Sequence, residues 1–243
     1  MPRNARKMSE SKIYHVMLRG SNRQQIFYDT EDYKTFLDVL QRVKQASGME
    51  LHAYCLMGNH IHLLIRETKE PLETVFRRIG SSFVYWYNLK YNRVGHLFQD
   101  RYKSEPVEND QYYLTVLRYI LQNPIKAGLC QAAEEYEWSS AGEYLSGTAG
   151  ITDIVFAQSI AEETVLRNFL KADNDDSCME MEQYSAVRVT DAEAERLIRA
   201  EFGMMPPIPG PAKNRAAFNE SVRQLRQAGI SIRQMSRLTG LSK

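Results

Sequence analysis

Of five histidines in 243 residues, His60 and His62 stand one residue apart in the stretch "GNHIHLLIRE". On a strand alternate side chains share a face, so both imidazoles project with Leu64 while Ile61, Leu63 and Ile65 project to the other side. Two imidazoles aimed together can each lend a nitrogen to one divalent cation, but a complete centre needs further ligands. Alone, the pair also fits two satisfied structural histidines. In "DQYYLTVLRYILQNPIKAGL", Tyr119 and Asn123 lie four apart, neighbours on one helical face with Cβ atoms about 5–6 Å from each other. The Asn123 carboxamide oxygen can serve as a third ligand. Beside such a cation the Tyr119 phenol could attack a polarised electrophile, combining covalent and metal-ion catalysis. Without the histidines, Tyr119 would read as a core aromatic with Leu117 and Ile120, and Asn123 as a helix-end residue before Pro124.

The elements that must carry these residues follow from periodicity. Lys12 to Leu18 is β-branched and aromatic enough for a strand, and "RGSNRQQ" after it is loop chemistry. Asp29 or Thr30 caps a helix to about Ala46, with Tyr33, Phe36, Leu37, Leu40 and Val43 at helical spacing and Gly48 at its end. "MELHAYCLM" reads as a second strand, Gly58 and Asn59 as a tight turn, and "HIHLLIRE" as a third strand folding back as a hairpin. A second helix spans 71–91 and is opened by Pro71. "HLFQDRYKSEPV" is a fourth extended segment, and a third helix from about Asp110 to Gln122 stops before Pro124. The order β-α-β-β-α-β-α predicts an α+β fold, a ferredoxin-like split antiparallel sheet with helices on one face.

Three regions are expected: residues 1–147 carrying the candidate chemistry, 148–211 as a helical extension with an acidic linker and the Pro/Gly run "MMPPIPGP", and 212–243 as a small helical segment. Within the last, "VRQLRQAGISIRQMSRLTGLSK" has two helical patterns around Ala228 and Gly229, with Val222, Leu225, Ile230, Ile232, Met235 and Leu238 as the apolar set. It resembles the first helices and turn of a helix-turn-helix, whose recognition helix would follow Lys243. DNA contact and simple packing are both open for it.

A mass of 28.1 kDa with 43% hydrophobic residues is ordinary for a packed globular protein. No apolar run approaches the roughly 18 residues needed to span a bilayer, and "MPRNARKMSESK" lacks the apolar stretch of a signal peptide, so the expected location is cytoplasmic. Cys55, Cys130 and Cys178 are far apart and never in a C-x-x-C arrangement, which argues against a disulfide framework or a thiolate zinc site. The formal net charge of +1 hides segregation. Residues 1–23 hold six basic side chains against Glu10, residues 211–243 hold seven against Glu220, and residues 173–195 hold eight acids against Arg188. Two basic ends suit a polyanionic partner.

Four ordered stretches, "YHVMLRGSNRQQIFYDTEDY", "AYCLMGNHIHLLI", "LFQDRYKS" and "RYILQNPIKAGL", resemble the HUH single-tyrosine transposases, and more closely their REP-associated tyrosine transposase branch. The family's histidine, bulky hydrophobic, histidine motif falls on His60, Ile61 and His62. Its nucleophilic tyrosine falls on Tyr119 and its third metal ligand on Asn123. One departure is Gly58, where many relatives carry proline; it alters the turn and leaves the ligands untouched. The resemblance implies cleavage and rejoining of single-stranded DNA beside hairpins, such as repeated extragenic palindromes, through a 5′-phosphotyrosine intermediate with Mg2+ or Mn2+. Some single-tyrosine relatives pair two chains while the REP-associated branch resembles monomers, and the extra C-terminal region tilts the expected state towards a monomer over a homodimer.

Substrate binding should combine cations for phosphates with rings for unpaired bases. The choices are Arg19 and Arg23 in the first loop, and Arg101, Tyr102 and Lys103 in "QDRYKS". His96 and Gln122 are neighbours to be considered for activating Tyr119, and Tyr112 is a second tyrosine to be considered as nucleophile. Two other readings stand beside the transferase: a non-catalytic hairpin-binding or regulatory module that keeps the histidines for structure, and a metal-dependent phosphohydrolase acting through water.

Overall fold

The computed structural model describes residues 7–176, 178, 190–203, 215–230 and 232–240. The Pro/Gly run at 204–211, most of the acidic stretch between 177 and 189, the first six residues and the end of "TGLSK" lie outside the described residues. Among the described residues no helix is long and apolar enough to cross a membrane, and none of the three cysteines is paired.

The chain runs β1 (Ile13–Arg19), α1 (Thr30–Ser47), β2 (Glu50–Met57), β3 (His60–Arg66), α2 (Leu72–Lys90), β4 (Lys103–Pro106) and α3 (Asp110–Lys126). The short helices α4 (Ala141–Leu145), α5 (Val155–Ile160) and α6 (Glu163–Lys171) follow. The sheet is antiparallel in the order β2-β3-β1-β4, the split arrangement that the element order calls for. Local chemistry sets the boundaries of α1. The Asp29 carboxylate accepts from the Asp32 amide at 3.1 Å, and the Asp32 carboxylate accepts in return from the Asp29 amide at 3.2 Å. Gly48 ends the helix in the left-handed region at φ 70°, where a residue without Cβ costs least.

Strand alternation sorts the apolar residues onto two faces. Val16, Leu18, Leu56, Ile61, Leu63 and Ile65 pack under α1 and α2 with Phe36, Leu40, Ile79 and Phe83. The pattern predicts helices on one face; α1 and α2 share this one, and α3 lies on the other. The other face carries Ile13, Ala53, Cys55, Met57 and Leu64, and α3 lies on it through Tyr113, Val116, Leu117, Ile120 and Leu121. Each of these α3 side chains is 1% exposed or less, and burying one contributes on the order of 1.5–3 kcal/mol.

That packing explains a departure from expectation. The sequence predicts that the third helix stops before Pro124, whereas α3 continues through Pro124 to Lys126. An interior proline lacks the N–H that would bond the Ile120 carbonyl, a cost of about 3 kcal/mol. Buried Ile120, Leu121 and Pro124 itself offset it. The helix resumes its hydrogen bonding at once, the Ala127 amide donating to the Asn123 carbonyl at 3.0 Å. Asn123 therefore stays one helical turn from Tyr119.

By contact, the chain divides into two compact units, residues 1–179 and 180–243. Helices α5 and α6 belong to the first, where Leu166 and Leu170 join the cluster beneath α3. The second unit contains α7 (Asp191–Phe202), α8 (Arg215–Gln227) and α9 (Ile232–Thr239). Its core is Ala194, Ile198, Leu225, Ile230 and Met235, with Val222 and Leu238 packed against it. The Arg237 guanidinium donates to both Asp191 oxygens at 2.7 and 2.8 Å.

Candidate active site

The site lies on the sheet face that α3 covers. Strand register builds it in rungs: Arg19 opposes His60, which opposes Met57; Met17 opposes His62, which opposes Cys55; His15 opposes Leu64. Directly opposed residues share a face. Arg19, His60, His62 and His15 therefore project together towards α3. Lys103 on β4 extends the middle rung beside Met17 and is exposed.

The approach of loop to hairpin fixes the upper edge of this face. The Gly20 amide donates to the Asn59 carbonyl at 3.0 Å, and the Ile26 amide to the Gly58 carbonyl at 2.7 Å. A Cβ on Gly58 would stand 2.5 Å from the Gln25 Oε1 atom. Glycine at this position leaves room for the Gln25 side chain.

His60 Nδ1 is 2.7 Å from the Asn59 Oδ1 atom, and the Asn123 side chain stands near enough to the same imidazole to favour its protonated form. Burial first, and then the Arg19 charge, lower the His60 pKa to about 4. His62 is 2% exposed, and burial followed by its neighbours His15 and His60 holds its pKa well below the usual imidazole value. Both rings are neutral at neutral pH, the form in which an imidazole nitrogen can ligate a metal. The two rings stand 5.0 Å apart between centroids and nearly perpendicular, at 87°.

Tyr119 covers them. Its ring meets the His62 ring edge-on at 5.7 Å between centroids, and it is 6% exposed. The Lys126 ammonium sits 5.4 Å from the Tyr119 ring centroid. The four residues chosen for metal and nucleophile, His60, His62, Tyr119 and Asn123, thus converge across β3 and α3.

Sequence reasoning missed His15. It is fully buried, its pKa is lowered to about 3 by burial, and its Nε2 lies 3.0 Å from His62 Nδ1. Its ring centroid is 6.0 Å from that of Tyr119. The alternation of "IYHVMLR" puts His15 on one face with Ile13 and Met17. What the alternation lacks is the pairing of β1 with β3 that makes this the histidine face. Asn59 and Lys126 were also missed, each standing beside a residue that was chosen.

The other choices separate. Arg19 is half-buried, its Nε has no hydrogen-bond partner, and burial, then Arg23, lower its pKa. Arg23 sits in the short 3-10 turn Ser21–Arg23 at φ 60°. Arg101 and Tyr102 line a groove of about 840 Å3 between α2 and residues 96–102, together with Arg77, Tyr85 and His96. Tyr102 packs on Phe76 at 4.3 Å between ring centroids, under the α2 side of the sheet. Gln122 does not reach Tyr119 as an activator. Its amide donates to the Leu170 and Ala172 carbonyls at 2.7 and 3.0 Å and its oxygen accepts from Asn174 at 2.7 Å, which ties α6 to α3. The Tyr112 hydroxyl is pushed up by burial first and then by hydrogen bonding to the Glu105 carboxylate, a poor setting for a nucleophile.

Among the described residues no three His, Cys, Asp or Glu side chains come together as a metal cluster. The donor set at this site is instead two neutral imidazoles and a carboxamide. These nitrogen and neutral oxygen donors could hold a divalent cation and would leave it open to phosphate oxygens.

A family model described as IS200-like transposase matches residues 8–123, from just before β1 to Asn123. Among solved structures the chain is similar to a REP-associated tyrosine transposase bound to a REP hairpin, with a TM-score of 0.54 and 16% identity over 74% of this chain and 99% of that one. That likeness is one of fold. A candidate transposase from Deinococcus radiodurans R1 aligns with a TM-score of 0.36 and 19% identity over 52% of this chain and 97% of that one. Among curated proteins none matches.

Proposed function

We propose, from the match of residues 8–123 to the IS200-like transposase model, that the chain is a single-stranded DNA endonuclease and strand transferase of that kind acting beside hairpins in the cytoplasm. The observation that carries this reading is the convergence of Tyr119 and Asn123 from consecutive turns of α3 onto His60 and His62 of β3.

His60, His62 and Asn123 would hold Mg2+ or Mn2+. The cation would supply Lewis-acid charge at the scissile phosphate. Tyr119 Oη attacks phosphorus, forming an O–P bond to the 5′ side of the break as the P–O3′ bond opens. The phenol proton is lost, and the departing 3′ oxygen takes up a proton to become a hydroxyl. Because the ester is exchanged without hydrolysis, an incoming 3′-hydroxyl can attack the phosphotyrosine, release Tyr119 and join new ends. Arg19 stands beside His60 on the same rung, where its guanidinium can bind the phosphate in bidentate fashion. Lys103, two strands across from His62, supplies a further cation along the strand. Arg23, Arg101 and Tyr102 would engage the flanking DNA, the last by stacking. Residues 1–147 would form the nuclease, 148–211 its extension, and 212–243 an accessory segment, all in a monomer with Tyr119 serving its own chain.

The test is incubation of the purified chain with end-labelled single-stranded hairpin oligonucleotides and Mn2+, read on a denaturing gel. Metal-dependent cleavage that is lost in Tyr119→Phe supports the transferase. Cleavage that survives Tyr119→Phe points to metal-activated water, and hairpin binding with no cleavage under Mg2+ or Mn2+ points to a non-catalytic module.

A further inference from the structure

Each of the two β3 imidazoles has a second ring nitrogen, and the partner of that nitrogen decides which tautomer the ring holds. For His60 the partner is the Asn59 carboxamide oxygen at 2.7 Å, which can only accept. The Asn59 orientation agrees with its own amide, whose Nδ2 faces the Arg23 carbonyl at 3.5 Å. His60 therefore carries its proton on Nδ1 and presents a lone pair on Nε2. For His62 the partner is another imidazole: His62 Nδ1 lies 3.0 Å from His15 Nε2, and either ring can donate. The far nitrogen of His15, Nδ1, is buried with no hydrogen-bond partner.

Two neutral arrangements follow. In one, His15 Nε2–H donates to His62 Nδ1, so His62 holds its proton on Nε2 and cannot ligate through that atom, while His15 Nδ1 is an unpartnered lone pair. In the other, His62 Nδ1–H donates to His15 Nε2, His62 Nε2 is free to ligate, and His15 carries an unpartnered N–H on Nδ1. An orphaned buried N–H is tolerated less well than an orphaned acceptor. The metal-free pair therefore rests in the first arrangement.

We propose that His15 is the positioning residue for His62, and that cation binding carries the pair from the first tautomeric arrangement to the second. This rests on the reading of His60, His62 and Asn123 as ligands. In the exchange the bridging proton passes from His15 Nε2 to His62 Nδ1, the His62 Nε2 proton leaves, and one proton arrives at His15 Nδ1. The pair stays neutral and the net proton count is unchanged. His60 is preset by Asn59 while His62 is not, so His15 sets how much of the binding energy is consumed in switching.

The test reads tautomers and affinity on the full chain, without activity. With 15N-labelled histidine, the wild-type protein should show His62 protonated at Nε2 without metal and at Nδ1 with saturating Mg2+. Mn2+ titrations followed by electron paramagnetic resonance give the affinities. His15→Phe removes the acceptor and should weaken Mn2+ binding by about 10–100-fold. His15→Gln, which can turn its amide oxygen to His62 Nδ1–H, should bind within about threefold of wild type or tighter. A purely structural role for His15 would not give this rescue. Mn2+ binding unchanged in His15→Phe, or His62 retaining its Nε2 proton under Mg2+, overturns the role of His15 while leaving the metal centre standing. Wild-type protein whose Mn2+ affinity is indifferent to His60→Ala removes the centre itself, and the role of His15 falls with it. The tautomer measurement needs no substitution, so a variant that fails to fold does not shield the proposal.

Discussion

Tyr119 and Asn123 stand on consecutive turns of α3, and the role proposed for Tyr119 is open to substitution. Tyr119→Phe keeps the ring that packs on His62 and removes only the oxygen proposed as nucleophile. Strand cleavage should fall by on the order of 10^3-fold or more with folding intact, measured by single-turnover cleavage alongside thermal melting. Asn59→Ala removes the oxygen that faces His60 Nδ1. Mn2+ affinity should then fall by about 10–100-fold, as for other groups that orient a ligand, measured by calorimetric titration. Residue chemistry was legible wherever the partners are local: the His60 and His62 alternation and the Tyr119 to Asn123 spacing are properties of one strand and one helix. His15 was illegible because its relation to His62 exists only across the β1 to β3 ladder, which the residues around His15 do not encode.

Elements place these groups through packing that local propensity does not contain. Pro124 argues locally for a helix end, yet α3 continues because its buried residues hold it on the sheet. Had the helix stopped where the proline rule puts it, Asn123 would have left the face shared with Tyr119. The strand and helix order, the hairpin turn at Gly58 and Asn59, and the Asp29 cap were all written in turn and capping chemistry. The covering of the second sheet face by α3 was not, since α3 presents its apolar residues at the same helical spacing whichever face receives them. The first loop depends on a close approach at Gly20, where a Cβ would fall within van der Waals contact of the Gln24 carbonyl oxygen, a backbone atom. Gly20→Ala should cost about 1–3 kcal/mol by overpacking, read from urea denaturation. Gly58→Ala meets only the exposed Gln25 side chain, which can turn away, and should cost less than about 1 kcal/mol.

For the molecule as a whole, the net charge of +1 says little about DNA, because the cations that matter are those brought to one face. Arg19 and Lys103 share that face with the histidines, whereas Arg101 and Tyr102 line the groove under α2. If Arg19 and Lys103 each neutralise one phosphate, replacing either by alanine should reduce the slope of log K against log salt by about 0.7 for a single strand, read from anisotropy titrations. Stability should depend on pH through another buried imidazole. Burial first lowers the His52 pKa, with the Glu50 carboxylate at 3.1 Å opposing. The unfolded chain therefore binds more protons than the folded one below pH 6.5, and stability must fall as the pH is lowered through that value. His52→Asn should lessen the fall of the melting temperature in that window by one imidazole's share, His15, His60 and His62 supplying the rest. On the proposed mechanism Tyr119 becomes covalently joined to the 5′ end of the cut strand. The measurement that tests it most directly is mass spectrometry of the protease-digested product of Mn2+ and a single-stranded hairpin substrate. A nucleotide phosphate adduct on the peptide containing Tyr119, absent without metal, is the predicted result; cleaved DNA with that peptide unmodified would contradict it.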